Sequence, residues 1–332
     1  MRGTNLNKWT GLLWAQIVAM LMFSPVVQAE DLLNRQNETW QAADGVLQIP
    51  IWPKRPPLSP LLAGRNESYG LAKKQIAGQP ITMIEHVSQP TISIFRAKGR
   101  DSGNTIVVFP GGGYRVLAID LEGTEVCDWI TSKGMTCVIL KYRVPGSGPY
   151  WSDDCNCRRI PDQPFALQDA QRAISLLRAR AGELGMHPGK IGVLGFSAGG
   201  HLVADISNYE KRSYRAVDEI DQQSSRPDFA IAMYPGHLWK KPKLTLNPSV
   251  KVTPNCPPTL IIHAGDDPVD DVRHSLVYYL ALQHAGVPTE MHVYAQGGHA
   301  FGLRQTSNAI TRWPQVAEKW MSSIGVLPSD AD

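Results

Sequence analysis

Charge of one sign is in short supply in this sequence. Its 332 residues set 33 Lys and Arg against 30 Asp and Glu, which leaves no strongly basic surface to recruit nucleic acid or an anionic membrane. Long apolar runs are equally scarce. Only residues 11–23, broken by Gln16 alone, approach membrane length, and they fall short of the roughly 20 residues needed to span a bilayer. Several cofactor and metal signatures are missing as well. There is no His-Glu-x-x-His, no second cysteine pair to complete a zinc site beside Cys155-Asn156-Cys157, no dinucleotide glycine fingerprint and no P-loop. Neither a metal nor an organic cofactor is expected, and no low-complexity tract argues for disorder.

What is present starts with a leader. Arg2 and Lys8 precede the apolar run, and Val27-Gln28-Ala29 ahead of Glu30 puts small residues at −3 and −1. The pattern reads as a secretory signal over 1–29, cleaved after Ala29, which predicts export to the periplasm or beyond and no stable membrane insertion once it is removed. Residues 30–332 then form one large α/β domain, with 30–80 as a Pro-rich extension bearing an edge strand and 145–164 as an insertion. Export permits disulfides, and five cysteines leave at least one unpaired. Cys127 and Cys137 sit in apolar helix and strand patterns and read as core thiols. Cys155, Cys157 and Cys256 sit in loop-like sequence and are the better candidates for a bridge, with the pairing left open. Oligomeric state is not legible.

Along the chain, apolar strand runs alternate with helix-length amphipathic segments. Strands are expected over 105–109, 135–140, 191–196, 228–234, 259–264 and 290–295, with 47–53, 81–84 and 91–96 upstream. Helices are expected over 122–132, 165–181, 198–207, 272–285 and 313–324. Continuous apolar strands of this kind are buried on both faces, so the fold class is α/β, with a mostly parallel eight-stranded sheet and helices on both sides. Ligands in such sheets bind beyond the carboxyl ends of the strands. Four strand-end loops carry the chemistry: Gly111-Gly112-Gly113, Gly195-Phe196-Ser197-Ala198-Gly199, Asp266-Asp267 and Gly297-Gly298-His299.

Gly-x-Ser-x-Gly between a strand and a helix places a serine on a sharp turn, poised as an acyl-transfer nucleophile. A serine hydroxyl needs a neighbouring base at neutral pH. Among nine histidines, His299 follows the last strand in a Gly-rich loop free to carry it over the sheet. The acid that orients it should fall between the two, where Asp267 is the first choice and Asp270 the reserve. The backbone N–H groups of Gly112, Gly113 and Ala198 are candidates for binding an oxyanion.

Phe109-Pro-Gly-Gly-Gly-Tyr114, Lys141-Tyr-Arg-Val-Pro145, Gln168-Asp-Ala-Gln-Arg-Ala173, Gly195-Phe-Ser-Ala-Gly-Gly-His201, the Asp267 loop and Gly297-Gly-His-Ala-Phe301 together resemble the α/β-hydrolase fold. More closely, they resemble its acetyl esterase and acetylxylan/feruloyl esterase-like branch, related to the hormone-sensitive-lipase group. Pro110 stands where that group has His before its glycines. The resemblance implies a serine esterase with a Ser197, His299, Asp267 triad, acting on acetyl or feruloyl esters of plant polysaccharide or on related short-chain acyl esters. A serine peptidase of the same fold and a catalytically silent binding scaffold remain as alternatives. Within the pocket-bordering insertion 145–164, the stretch Trp151 to Arg159 reads equally as a specificity lid or a surface excursion.

Overall fold

The computed structural model describes residues 32–57, 66–144, 150–152, 157–159 and 165–328. The signal segment and most of the 145–164 insertion lie outside them. In chain order the strands are β1 (Leu32–Gln36), β2 (Leu47–Pro50), β3 (Ser68–Ile76), β4 (Gln79–Glu85), β5 (Thr91–Phe95), β6 (Thr105–Phe109), β7 (Val116–Ala118), β8 (Thr136–Lys141), β9 (Tyr150–Ser152), β10 (Cys157–Arg159), β11 (Ile191–Phe196), β12 (Ala230–Met233), β13 (Thr259–Ala264) and β14 (Thr289–Tyr294). The helices are α1 (Glu125–Ser132), α2 (Phe165–Ala179), α3 (Ala198–Asn208), α4 (Arg273–His284) and α5 (Trp313–Ser323).

Eight strands form one sheet in the order β14-β13-β12-β11-β6-β8-β5-β2. The six from β14 to β8 are parallel, while β5 and β2 join antiparallel at one side. Every residue of β6, β8, β11, β12 and β13 is buried, as strands covered on both faces require. Trp129 of α1 and Trp313 of α5 pack edge to face, 5.1 Å between centroids, so these two helices share one face. The other face takes α2 against α3, and α3 meets α4 through Ala204, Tyr278 and Leu282. Pro50 and the short β2 suit the outermost position, where a missing ladder donor does no harm.

A second sheet stands beside the first, beyond what the sequence pattern predicts. Strands β1, β3, β4 and β7 form a four-stranded antiparallel sheet, with its own small core of Ala72, Ile81, Met83, Val116, Ala118 and Leu121. Most of it comes from the segment expected to be an extension, so 30–80 contributes most of a second sheet as well as an edge strand.

Two sequence features resolve into structural roles. Arg143, just after β8, and Asp169 of α2 are a fully buried ion pair at 2.8 Å, and the Trp52 indole N–H donates to the same carboxylate. Arg172 reaches Asp218 and Asp221. The Lys-Tyr-Arg and Gln-Asp-Ala-Gln-Arg strings thus tie the sheet to α2. The cysteine expectation needs correction. Cys127 of α1 and Cys137 of β8 form a disulfide, because α1 folds back directly over the strand it leads into and brings two buried thiols together. Cys256 is a buried free thiol that donates to Asn208 Oδ1 at 2.9 Å. Cys155 and the side chain of Cys157 lie outside the described residues.

Candidate active site

Ser197 sits between β11 and α3 with φ 53° and ψ −115°, a backbone conformation that a non-glycine residue holds only under strain. The surrounding glycines are sterically required. A Cβ on Gly195 would run into the Gly199 carbonyl, and one on Gly199 into the carbonyl of Phe109. The turn therefore lifts the hydroxyl above the end of β11 while β6 and α3 press close beneath it.

His299 Nε2 lies 2.9 Å from Ser197 Oγ, and Nδ1 lies 2.7 Å from Asp267 Oδ2. Asp267 Oδ1 accepts the N–H groups of Val269 and Asp270 at 2.8 and 2.9 Å. His263, inside β13, donates from Nε2 to the Asp270 carbonyl at 2.8 Å, accepts at Nδ1 from Ser275, and stands 3.4 Å from Asp267 Oδ2. Burial alone would raise the Asp267 pKa, but the hydrogen bonds from His263 and His299 hold it far below the ordinary carboxylate range. A permanently ionised Asp267 fixes Nδ1–H as the donor and leaves Nε2 to accept the serine proton. Burial likewise works against a charged His299. The hydrogen bond to Asp267 and the charges of Asp270, Asp267 and Glu122 outweigh it, and its pKa is raised.

Between the two aspartates considered from sequence, geometry separates the roles. Asp267 meets Nδ1, whereas Asp270 lies on the opposite side of the ring, 3.9 Å from Nε2 and 3.3 Å from Ser197 Oγ.

The glycine loop after β6 faces the serine. Gly112 has φ 133°, and a Cβ there would strike Val116, so only glycine permits the tight return into β7. The N–H of Gly111 donates to Glu122 Oε2 at 2.7 Å. Among the described residues, no acceptor meets the N–H of Gly112, Gly113 or Ala198. The Ala198 N–H also opens α3, at the positive end of its dipole.

Glu122 and Tyr234 escaped the sequence reading. Glu122 is buried within a π-helical turn, Asp120–Thr124, ahead of α1, and such turns gather at functional sites. It accepts the Gly111 N–H and the Tyr234 hydroxyl, the latter at 2.8 Å. Burial raises its pKa. Tyr234, itself at φ 35°, packs its ring 4.9 Å from the His299 ring. Tyr142 donates to the Pro110 carbonyl at 2.6 Å. The loop is thus held from below by one carboxylate and two tyrosines. In sequence, Glu122 looks like an acidic residue at a helix start, and only its burial distinguishes it.

A cavity of about 120 Å³ opens above Ser197 and His299. Ile81, Met83, Val116 and Ala118 of the small sheet, with Leu121, make its apolar wall, and Lys74 and Arg115 also line it. Asp270 and His237 stand among its polar lining.

Comparison with known proteins agrees with this architecture. The BD-FAE family model matches residues 94–234. An acetylxylan esterase of Xylanibacter ruminicola is 28% identical over 253 residues, covering 69% of this chain and 48% of that protein. Endo-1,4-beta-xylanase B of Butyrivibrio fibrisolvens is 26% identical over 212 residues, 58% of this chain and 32% of that protein. The chain therefore spans half or less of the length of these two relatives. Among solved structures, an acetyl ester-xyloside bifunctional hydrolase from Caldicellulosiruptor lactoaceticus superposes with a TM-score of 0.64 at 28% identity, covering 85% of this chain and 97% of that one. By the family match over residues 94–234 and by fold, the chain is similar to the BD-FAE esterases, carboxylic ester hydrolases of the α/β-hydrolase fold.

Proposed function

We propose that this protein is an exported serine esterase that removes acetyl groups from plant polysaccharide through an acyl-enzyme. The observation that carries the reading is the continuous chain Ser197 Oγ, His299 Nε2, His299 Nδ1, Asp267 Oδ2, with contacts of 2.9 and 2.7 Å, facing three uncommitted backbone N–H groups. In the first step Ser197 attacks the ester carbonyl and His299 takes its proton. Gly112, Gly113 and Ala198 stabilise the oxyanion, and His299 returns the proton to the departing alcohol. Water then repeats the sequence on the acyl-enzyme and releases the acid.

Acetyl is favoured over feruloyl by the room available. An apolar cavity of roughly 150 Å³ holds a benzene ring, and the cavity here is about 120 Å³, enough for a short acyl chain beside the ester carbonyl. A feruloyl group would have to stand partly outside it. The polysaccharide substrate is supported by the acetylxylan esterase, xylanase and acetyl ester-xyloside hydrolase among the relatives. Export is supported by the leader-like 1–29 and by the Cys127–Cys137 disulfide, since such bridges persist in oxidising compartments.

A panel of acetylated xylan, methyl ferulate and aryl acetates tests the substrate. Acetate release from xylan is expected at a kcat/KM at least roughly tenfold above that for the feruloyl ester, the scale of a pocket-size mismatch. Faster feruloyl turnover would overturn the acetyl assignment. For export, the amino terminus of protein recovered outside the cytoplasm should be Glu30.

A further inference from the structure

Asp270 is a largely buried carboxylate that meets few protein donors. Its residue exposure is 7%, its side chain lines the catalytic cavity, and it packs against Gly236, where a Cβ would come within 2.5 Å of Oδ1. Asp267, three residues earlier, accepts two backbone N–H groups and an imidazole N–H. Among the described residues the only hydrogen-bond partner of the Asp270 carboxylate is the Ser197 hydroxyl, at 3.3 Å. That hydroxyl has a single proton, and His299 Nε2, closer at 2.9 Å, must receive it for attack to occur. Once Ser197 is acylated the proton is gone altogether. Lys74 and Arg115 line the same cavity, but neither forms an ion pair with Asp270 within 4.0 Å. The carboxylate thus has acceptor capacity that the described residues leave open toward the cavity. A substrate hydroxyl that enters the cavity can donate to it.

Position says which part of the substrate supplies it. The oxygen of the departing alcohol must lie within hydrogen-bond reach of His299 Nε2 to be protonated, and Asp270 Oδ2 is 3.9 Å from that nitrogen. The apolar wall of the same cavity suits the acyl group. A hydroxyl on the carbon next to the ester carbon stands about one hydrogen-bond length from the ester oxygen, which puts it against Asp270. We infer that Asp270 is a specificity-determining residue, selecting esters whose alcohol carries a free vicinal hydroxyl, as a partly acetylated sugar ring does. The inference rests on the ester-hydrolase reading of the site and extends it to the alcohol side.

The test uses two substrate pairs: a methyl xyloside monoacetate with its neighbouring hydroxyl free or O-methylated, and trans-2-hydroxycyclohexyl acetate with its methyl ether. For the intact enzyme, kcat/KM is expected to favour the free hydroxyl by roughly tenfold or more in each pair, the scale of one hydrogen bond to a charged group. The ratio should fall close to one in Asp270→Ala and to an intermediate value in Asp270→Asn, which retains an acceptor and guards against a folding defect. A ratio near one in the intact enzyme, or an unchanged ratio in both variants, overturns the inference. An equal loss on all four substrates also overturns it, because Asp270 would then act only through the charge on His299. If neither xyloside acetate is turned over while the cyclohexyl ratio is present and collapses in the variants, the polysaccharide reading fails and the role of Asp270 stands.

Discussion

The two sheets divide the labour of the site. The eight-stranded sheet delivers Ser197 after β11, the Asp267 loop after β13, His299 after β14 and the glycine loop after β6, all from the carboxyl ends of parallel strands. The four-stranded sheet supplies none of these groups. It contributes Ile81, Met83, Val116 and Ala118 to the apolar wall of the cavity. Parallel strands, buried and clamped by helices, can hold reacting atoms to a fraction of an ångström. A small antiparallel sheet leaning over them sets what fits. Changes to the triad and the glycine loop on the first side should lower turnover for every ester, and changes on the second should alter which acyl group is preferred.

The largest effects should follow from the first side. Ser197→Ala is expected to reduce kcat on p-nitrophenyl acetate by about 10⁶ and Asp267→Ala by about 10⁴, as for other triads of this geometry, with KM little moved. Next comes the support of the glycine loop. Glu122→Ala removes the acceptor that fixes the Gly111 N–H, and kcat should fall roughly tenfold to a hundredfold, a fraction of the cost of deleting an oxyanion donor outright. A raised KM with unchanged kcat would instead assign Glu122 to the substrate wall.

On the other side, Met83→Ala should enlarge the apolar wall. The kcat/KM ratio of butyryl to acetyl aryl esters is expected to rise about threefold to tenfold, the value of a methylene or so in an apolar pocket. A uniform drop for both esters would erase the proposed division. The smallest effect concerns pH. Asp270, Asp267 and Glu122 all raise the pKa of His299 against the opposing effect of burial, and the Tyr234 ring packs beside it. His299 works as a base in its neutral form, so activity rises with pH through its pKa. Asp270→Asn removes a negative charge that favours the imidazolium, lowers that pKa, and should move the acid limb of kcat/KM to lower pH. A shift to higher pH would contradict the arrangement.

What could be read from sequence was what local sterics dictate. The Gly195-Phe-Ser-Ala-Gly199 turn, the buried strand runs and the order serine, acid, histidine are written into short strings, and the structure brings Ser197, Asp267 and His299 into one hydrogen-bonded chain. The second sheet was hidden because its pairing is non-local and its strands look unpromising. β3 carries Lys73, Lys74 and Gln75, β1 is mostly polar, and β7 has three residues. The disulfide was misread for a related reason: apolar periodicity buries Cys127 and Cys137 equally well as thiols or as a pair, and only the fold of α1 over β8 decides. Four aspartates within six residues, Asp266 to Asp271, likewise cannot say which one meets Nδ1. Backbone donors select Asp267 and leave Asp270 facing the substrate.

The central claim is that Ser197 is the nucleophile, and intact mass after treatment with an organophosphate such as diisopropyl fluorophosphate tests it most directly. One adduct per chain is expected, mapped by peptide sequencing to Ser197, with esterase activity lost in proportion and no adduct on Ser197→Ala. An unlabelled protein that keeps its activity, or an adduct that persists in Ser197→Ala, would contradict the account.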